Sequence, residues 1–200
     1  MKPQAVIIPS CGSNLASLKF ALERIGADVP LTEDPERIRA ASHVILPGVG
    51  AAAPGMARLA AAGLTELIPT LTQPVLGICL GMQLLFASSE EENTRCLGVI
   101  DATVQRLPAS PDLPVPQMGW NELEPVGPSP LLTGVQPGAY AYFVHSYAAP
   151  TGDYTRAQTT YGRAFSAVIE QRNFFGTQFH PERSSKVGSH ILDNFLRIRL

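Results

Sequence analysis

Short apolar runs alternate with helical patterns in the first half of the chain. Residues 5–8, 44–46 and 75–78 are continuously apolar, which is typical of strands buried on both faces of a parallel sheet. Between the first two runs, leucine and isoleucine recur at helical spacing over residues 15–25, and Gly26 is suited to end that helix. This half therefore begins as strand, helix, strand.

Two more helical patterns follow the second and third apolar runs. One helix is predicted from about Gly55, with an apolar face of Met56, Leu59, Ala60, Gly63 and Leu67. The other is predicted from Met82 onward. Strands that alternate with helices in this way predict a parallel sheet covered by helices on both faces.

The second half has a different pattern. Residues 106–137 contain eight of the chain's 18 prolines, which excludes a regular helix there. Aromatic and β-branched residues then cluster in residues 140–147, 165–169 and 174–179, and these runs predict antiparallel or mixed strands. A last helix is predicted over roughly residues 189–199, with Ile191, Leu192, Phe195 and Ile198 on one side.

The combined pattern predicts an α/β fold in a single domain over residues 1–200. We expect a mostly parallel central sheet flanked by helices, with an added antiparallel strand region. A chain of 200 residues can bury a full core without disulfides. No repeat or linker divides it.

Composition narrows the class of protein. The 15 basic and 17 acidic residues give a net charge of -2, which argues against a general nucleic-acid or membrane-surface binder. No apolar run approaches the ~20 residues of a membrane span, and the first residues do not read as a signal peptide. The chain has only three cysteines, and an odd number cannot all be paired, which argues against a disulfide framework. A reducing, cytoplasmic location is expected.

The most informative stretch is Gly77-Ile78-Cys79-Leu80-Gly81, which follows a predicted strand and precedes a predicted helix. This is the pattern of a nucleophile on a sharp strand-to-helix turn, where flanking side chains would collide. Backbone N–H groups at the helix start, Leu80 included, favour a thiolate and could hold an oxyanion. The alternative is a small buried cysteine behind a tight turn.

The other two cysteines carry weaker signals. Cys11 lies in the first strand-to-helix turn and could line a site at the same sheet edge, whereas Cys96 follows a polar run and is interpreted as incidental. No Cys or His pair has metal-ligand spacing, so no metal site is expected. No other cofactor is expected either.

A thiol nucleophile needs a base, and His180 is the strongest candidate. It follows an apolar strand, and Glu182, two residues on, would point the same way and orient the imidazole. His145 is interpreted as a strand histidine with a structural hydrogen bond that could also line the pocket. His43 and His190 are interpreted as surface or cap residues, the second at the start of the last helix.

Three stretches together resemble the signatures of the class I glutamine amidotransferases, whose sheet is flavodoxin-like. They are Pro47-Gly48-Val49-Gly50, Gly77 through Leu85, and Gln178-Phe179-His180-Pro181-Glu182-Arg183-Ser184. Met118-Gly119-Trp120-Asn121 and Tyr142-Phe143-Val144-His145-Ser146-Tyr147 narrow the resemblance to the glutaminase subunits of imidazole glycerol phosphate synthase, in histidine biosynthesis.

The resemblance implies that Cys79 attacks the side-chain amide of glutamine, that His180 shuttles the proton and that Glu182 orients His180. A thioester would release ammonia and then be hydrolysed to glutamate. The resemblance also implies that Gln83 and the backbone around Ser146 hold the glutamine.

A strand matching Pro47–Gly50 holds the oxyanion in this family. Gly48, Val49 and Gly50 are therefore expected beside the substrate, with the peptides of Val49 and Gly50 joining Leu80 as oxyanion donors. The family's strand is thought to reorient before it works, and glycines make a peptide flip sterically inexpensive. The residues alone favour a simple tight turn over an oxyanion strand.

The family passes its ammonia to a cyclase barrel, and because one domain accounts for all 200 residues, we expect that barrel on another polypeptide. The expected partner is therefore a separate cyclase subunit, in a heterodimer. Asn14, Trp120, Tyr142 and Arg183 match positions near that interface or channel mouth, where structural roles remain an alternative. The chain departs from many members in having Pro9-Ser10-Cys11 after the first strand.

Three other functions fit the sequence less well. The glutaminase of pyridoxal-phosphate synthase has a similar size but no place for the Met-Gly-Trp-Asn stretch. A catalytically silent binding subunit conflicts with an intact set of Cys79, His180 and Glu182. A cysteine peptidase would need a long open cleft.

Overall fold

The computed structural model describes residues 4–9 and 15–200. Within these residues there are twelve strands and five α-helices. The strands are β1 (Ala5–Ile7), β2 (His43–Gly48), β3 (Val75–Cys79), β4 (Phe86–Ser89), β5 (Thr94–Arg95), β6 (Ile100–Arg106), β7 (Gln117–Pro125), β8 (Ala139–His145), β9 (Tyr147–Ala148), β10 (Thr155–Tyr161), β11 (Arg163–Gln171) and β12 (Phe174–Thr177). The helices are α1 (Leu15–Arg24), α2 (Pro35–Ala40), α3 (Ala52–Ala61), α4 (Leu80–Gln83) and α5 (Ser185–Arg197).

The main sheet has eight strands in the order β1-β2-β3-β12-β11-β10-β7-β8. Strands β1, β2, β3 and β12 are mutually parallel, and every pairing from β12 to β8 is antiparallel. The predicted α/β fold, with parallel strands and an added antiparallel region, is confirmed. The antiparallel region contains as many strands as the parallel one, and β12 is hydrogen-bonded to both regions.

Both faces of the parallel strands are buried, as their continuous hydrophobicity predicts. Along β1, Ala5 and Ile7 pack into one apolar cluster with α1 and α5, while Val6 packs into a second cluster with α3. A smaller sheet, ordered β5-β4-β6-β9, covers part of the second face. Among the described residues, no helix is long and apolar enough to cross a membrane.

The helix predicted from Met82 onward is wrong. Helix α4 ends at Gln83, and β4 begins at Phe86. Residues 81–86 are all buried, so their apolar run has no exposed side from which a helical or an extended period could be recognised.

Two other helix boundaries need correction. Helix α3 begins at Ala52, before Gly55, and ends before Gly63, which has a φ of 69°. Leu67 therefore lies beyond it. Helix α5 begins at Ser185, so His190 lies inside that helix and not at its start, although its side chain is exposed as predicted.

His43 was interpreted as a surface or cap residue, and this is wrong. It belongs to β2 and is only 1% exposed. Its Nδ1 pairs with the Ser42 hydroxyl at 3.0 Å, and its Nε2 lies 3.1 Å from the carbonyl oxygen of Ile198. Burial lowers the pKa of His43, which is consistent with a neutral structural histidine.

Two strands of the main sheet were not predicted, and neither were β4, β5 and β6 of the smaller sheet. Strand β7 lies inside the proline-rich segment, and β10 lies between the predicted aromatic runs. Strand β7 pairs with β8 so that Trp120 faces Tyr142 across the ladder. The omission therefore concerns the segment that carries one of the expected interface residues.

Candidate active site

Cys79 lies on a strained turn between β3 and α4, with φ of 53° and ψ of -110°. A non-glycine residue rarely adopts a positive φ. A side chain at Gly77 would come within 2.6 Å of the Met82 backbone, and one at Gly81 would overlap the carbonyl oxygen of Leu46. The predicted elbow, including the need for both glycines, is confirmed.

His180 reaches the same sheet edge from the next strand. Strand β12 runs parallel to β3, so the carboxyl ends of both strands meet, and His180 follows β12 by three residues. The Nδ1 of His180 lies 2.8 Å from Oε1 of Glu182, and both side chains are more than nine-tenths buried. The predicted orientation of His180 by Glu182 is therefore present.

The charge of His180 is set by opposing effects. Burial lowers its pKa, but the interactions with the Cys79 sulfur and the Glu182 carboxylate outweigh burial and raise the pKa to about 10. His180 Nε2 is buried and has no hydrogen-bond partner within the described residues. The imidazole can thus hold a proton beside the sulfur and release it when the charge on sulfur is consumed.

Cys79 and His180 open into a cavity of about 260 Å³. The predicted site residues that line it are Val49, Gly50, Cys79, Leu80, Gln83, Ser146 and His180. Glu182 lies behind His180. This volume is below the ~300–1,000 Å³ of drug-sized ligand sites, so it suits a small molecule better than a peptide.

The oxyanion segment continues from β2. Gly48 pairs with Cys79 across the sheet, and a Cβ at Gly48 would lie 3.0 Å from the Leu80 Cβ. Gly48 is therefore packed against the elbow, beneath the cavity lining. Gly50 has a φ of 98° and open space around it, so backbone freedom belongs to Gly50 and not to Gly48.

Gln83 is buried and fixed by its carboxamide. Its Nε2 donates to the carbonyl oxygen of Tyr147 at 2.7 Å and to Oε1 of Gln178 at 3.0 Å. Both N–H groups are thereby used, and Oε1 is the polar atom that remains for a ligand in the cavity.

His145 combines the two roles predicted for it. Its Nδ1 donates to the carbonyl oxygen of Tyr147 at 2.8 Å, and the ring lines the cavity. Burial lowers the pKa of His145 to about 4, the hydrogen bond to Tyr147 opposes this, and nearby His180 adds to the lowering. His145 is therefore neutral near pH 7.

Sequence reasoning missed Glu91. It belongs to a short 3₁₀ turn after β4 and lines the cavity as its one acidic side chain in the described structure. Its Oε2 accepts from the N–H of Ala52 at 2.8 Å, which ties it to the start of α3. Only the fold shows this placement, because Glu91 sits in an ordinary polar run.

Three of the four expected interface residues form one cluster, here called the aromatic stack. The rings of Trp120 and Tyr142 meet edge to face at 5.9 Å, and the Arg183 guanidinium lies 4.9 Å from the Tyr142 ring centroid. Trp120 is 52% exposed, and nearby Met118 is 67% exposed. Asn14 lies outside the described residues.

The aromatic stack is bonded to the backbone of the candidate base. The Tyr142 carbonyl oxygen accepts from the N–H of His180 at 3.0 Å. The Ser184 hydroxyl accepts from the N–H of Tyr142 at 2.9 Å and donates to the His180 carbonyl oxygen at 2.7 Å. An exposed surface and a buried histidine are thus mechanically connected.

The remaining cysteines add no chemistry here. Cys96 is buried, and burial together with the Glu91 charge raises its pKa to about 11, which fits its interpretation as incidental. Cys11 lies outside the described residues. Within the described ranges, no group of three His, Cys, Asp or Glu side chains could hold a metal ion.

Comparisons with known proteins agree with this geometry. Residues 7–198 match the family described as glutamine amidotransferase class-I. The HisH subunit of imidazole glycerol phosphate synthase from Vibrio cholerae is 48% identical over 99% of this chain and 100% of its own. The HisH subunit from Shewanella loihica is 48% identical over 98% and 91%, respectively.

Solved structures share the fold at lower identity. A glutamine amidotransferase superposes with a TM-score of 0.74 at 17% identity, over 96% of this chain and 98% of its own. The glutaminase domain of Trypanosoma brucei CTPS with bound acivicin gives 0.65 at 13%, over 98% and 94%. The chain therefore belongs to the class-I glutamine amidotransferases and, within them, to the family of the HisH subunits of imidazole glycerol phosphate synthase.

Proposed function

We propose that this chain, as one domain over residues 1–200, is the glutaminase subunit of an imidazole glycerol phosphate synthase in histidine biosynthesis. One observation carries the proposal: a cysteine on a strained elbow shares a small cavity with a buried His180–Glu182 pair. A cytoplasmic location fits a nucleophile that must stay reduced. The chemistry needs neither a metal nor a cofactor.

In the first step, the Cys79 sulfur attacks the side-chain carbonyl carbon of glutamine. A C–S bond forms, the proton taken from sulfur by His180 passes to the leaving nitrogen, and the C–N bond breaks to release ammonia. Glu182 holds the imidazole with its Nδ1–H engaged, so that Nε2 faces the reaction.

In the second step, water attacks the thioester. His180 accepts the proton of that water, the C–S bond breaks, and the proton returns to the sulfur as glutamate leaves. Both tetrahedral intermediates carry a negative oxygen. The N–H of Leu80, at the start of α4, and the peptides of Val49 and Gly50 are the donors proposed to stabilise it.

Substrate recognition would use the two ends of glutamine differently. Glu91 is suited to the α-ammonium group because it is the one acidic side chain among the described residues that line the cavity. Gln83 offers a carbonyl oxygen, and the backbone around Ser146 supplies further polar contacts, as proposed from the family.

The ammonia would pass to a separate cyclase subunit. In water near pH 7 most of it would become ammonium, which is not nucleophilic, so transfer within a complex preserves its reactivity. We place the docking surface at the aromatic stack, because Trp120 and Met118 expose apolar area beside the His180 backbone.

The decisive test removes the nucleophile in the assembled complex. Cys79→Ala should lower glutamine-dependent turnover by about 10³-fold or more. Turnover supplied with ammonium salt should be unchanged, because the cyclase does not use the sulfur. Cys96→Ala is the matched control and should retain both activities. Glutamate production that persists in Cys79→Ala would contradict the assignment.

A further inference from the structure

Gln178 has no role in the mechanism above, although it begins one of the informative sequence stretches. Strand β12 pairs in parallel with β3 so that Thr177 lies beside Ile78. Gln178 is the next residue after β12, and Cys79 is the last residue of β3. The Gln178 side chain is fully buried, and its Nε2 lies 3.8 Å from the Cys79 sulfur.

The direction of this contact follows from a chain of hydrogen bonds. The carbonyl oxygen of Tyr147 can only accept, so the Gln83 group that faces it at 2.7 Å is the NH₂. The same NH₂ donates to Oε1 of Gln178 at 3.0 Å. With its oxygen committed to Gln83, Gln178 must present its own NH₂ to the sulfur.

The Tyr147 carbonyl oxygen, where this chain of hydrogen bonds begins, also accepts from a second donor. His145 Nδ1 donates to the same Tyr147 carbonyl at 2.8 Å, and Gln83 and Gln178 are 5% and 0% exposed. Reversing either carboxamide would oppose two acceptors or two donors in a buried site, which is costly. The N–H that faces the sulfur is therefore held in one orientation.

We propose that Gln178 is a positioning residue for the nucleophile: its fixed N–H donor holds the Cys79 sulfur toward the cavity and stabilises it when charged. The inference rests on the function proposed above. It applies to the attacking thiolate and to the thiolate that leaves when the thioester is hydrolysed. The other sulfur contact, to the Val144 carbonyl oxygen at 3.8 Å, favours the protonated thiol, so the two contacts act in opposite directions.

The same hydrogen bonds connect the Cys79 sulfur to residues that line the cavity. Tyr147 and Gln83 both line the cavity, whereas Gln178 stands behind them. A glutamine molecule that presses on the Tyr147 segment or on Gln83 therefore acts on the donor that faces the sulfur. Substrate position and sulfur charge are coupled through two neutral side chains.

Alkylation of Cys79 as a function of pH tests this directly in the full chain. Iodoacetamide reacts with the thiolate, and trypsin places the three cysteines in different peptides, with Cys79 in residues 59–95. Gln178→Met removes the donor at similar volume. Gln178→Glu replaces the donor with an acceptor, and exposed Gln171→Glu is the charge-matched control.

The pH midpoint of Cys79 alkylation should rise by about one unit in Gln178→Met, which is a tenfold change in the thiol–thiolate equilibrium, and by more in Gln178→Glu. Gln171→Glu should leave it unchanged. The titratable groups that face the cavity, namely His180, His145, Glu91 and Tyr147, are the same in every variant, so the difference reports on Gln178.

A midpoint in folded Gln178→Met equal to that of the wild type would overturn the inference while leaving the nucleophile assignment intact. If Gln178→Glu does not fold by circular dichroism, Gln178→Met alone decides the question. Failure of the proposed function has a separate signature, which is glutaminase activity that survives Cys79→Ala in the complex.

Discussion

The backbone of Cys79 stores strain at the residue that is proposed to react. A positive φ at a residue with a side chain costs on the order of 1–3 kcal/mol, and it persists only where the surroundings enforce it. Here Gly77 and Gly81 allow β2 and α4 to close around the turn. The surrounding packing enforces this conformation, which holds the sulfur at the cavity and out of the strand.

His145 makes acid stability a test at the scale of one residue. Its pKa is near 6.5 in the unfolded chain and about 4 in the folded one. Below pH 6.5 the unfolded chain binds a proton that the folded chain does not, so the free energy of unfolding falls as the pH drops from 6.5 through 4. The loss should reach about 3 kcal/mol at pH 4.

Urea unfolding at pH 7 and pH 4 measures this, with His145→Asn for comparison. Asn can still donate to the Tyr147 carbonyl but does not titrate in this range. The wild type should lose about 3 kcal/mol more than the variant. Equal losses in the two proteins would show that His145 is not held neutral by the fold.

At the scale of the element, the elbow depends on a close approach between neighbouring segments. Strand β2 passes directly under α4, and a Cβ on Gly81 would occupy the space of the Leu46 carbonyl oxygen. Because that oxygen belongs to the sheet backbone, it cannot move aside as a flexible side chain would.

Gly81→Ala should therefore cost about 4 kcal/mol or more of unfolding free energy, or prevent folding. Gly127→Ala is the matched control, since its Cβ would meet Arg156 at an ordinary 3.6 Å and should change stability by less than about 0.5 kcal/mol. Thermal and urea unfolding distinguish them. A Gly81→Ala protein as stable as Gly127→Ala would mean that β2 and α4 are farther apart than described.

At the scale of the whole molecule, the aromatic stack should determine assembly. Trp120→Ala should raise the Kd for the cyclase subunit by about 30-fold, because a half-exposed tryptophan on an apolar surface is a typical anchor. Isothermal titration calorimetry measures the change. Exposed Leu200→Ala, at the opposite edge of the sheet, should leave Kd unaltered, and equal affinity of the two variants would place the interface elsewhere.

What the sequence could predict depended on whether the signal was local. The elbow, the three parallel strands around it and the His180–Glu182 pair were accessible, because their constraints lie within a few neighbouring residues. Glu91 and the contact of Gln178 with Cys79 were not accessible. They depend on how β4 and β12 are placed by the sheet, and no local spacing encodes that.

The misplaced helix has a related cause. Residues 81–86 are all buried, so their sequence does not alternate between buried and exposed positions. Without that alternation, a helical period cannot be distinguished from an extended one. The missed β7 shows the reverse situation. The prolines near it correctly excluded a helix. Prolines also disfavour strand interiors, but here they lie only at the ends of β7, where a strand tolerates them.

The central place of β12 has a consequence for biosynthesis of the chain. This strand is synthesised after every other strand that the structure describes, yet it lies between β3 and β11. Until it emerges from the ribosome, both neighbours present unpaired edges, which are prone to aggregation. Its pairing with β3 spans about a hundred residues, and such distant contacts form slowly. Glutamine cannot be hydrolysed wastefully by a nascent chain, because sulfur and imidazole meet only when this last strand closes the sheet.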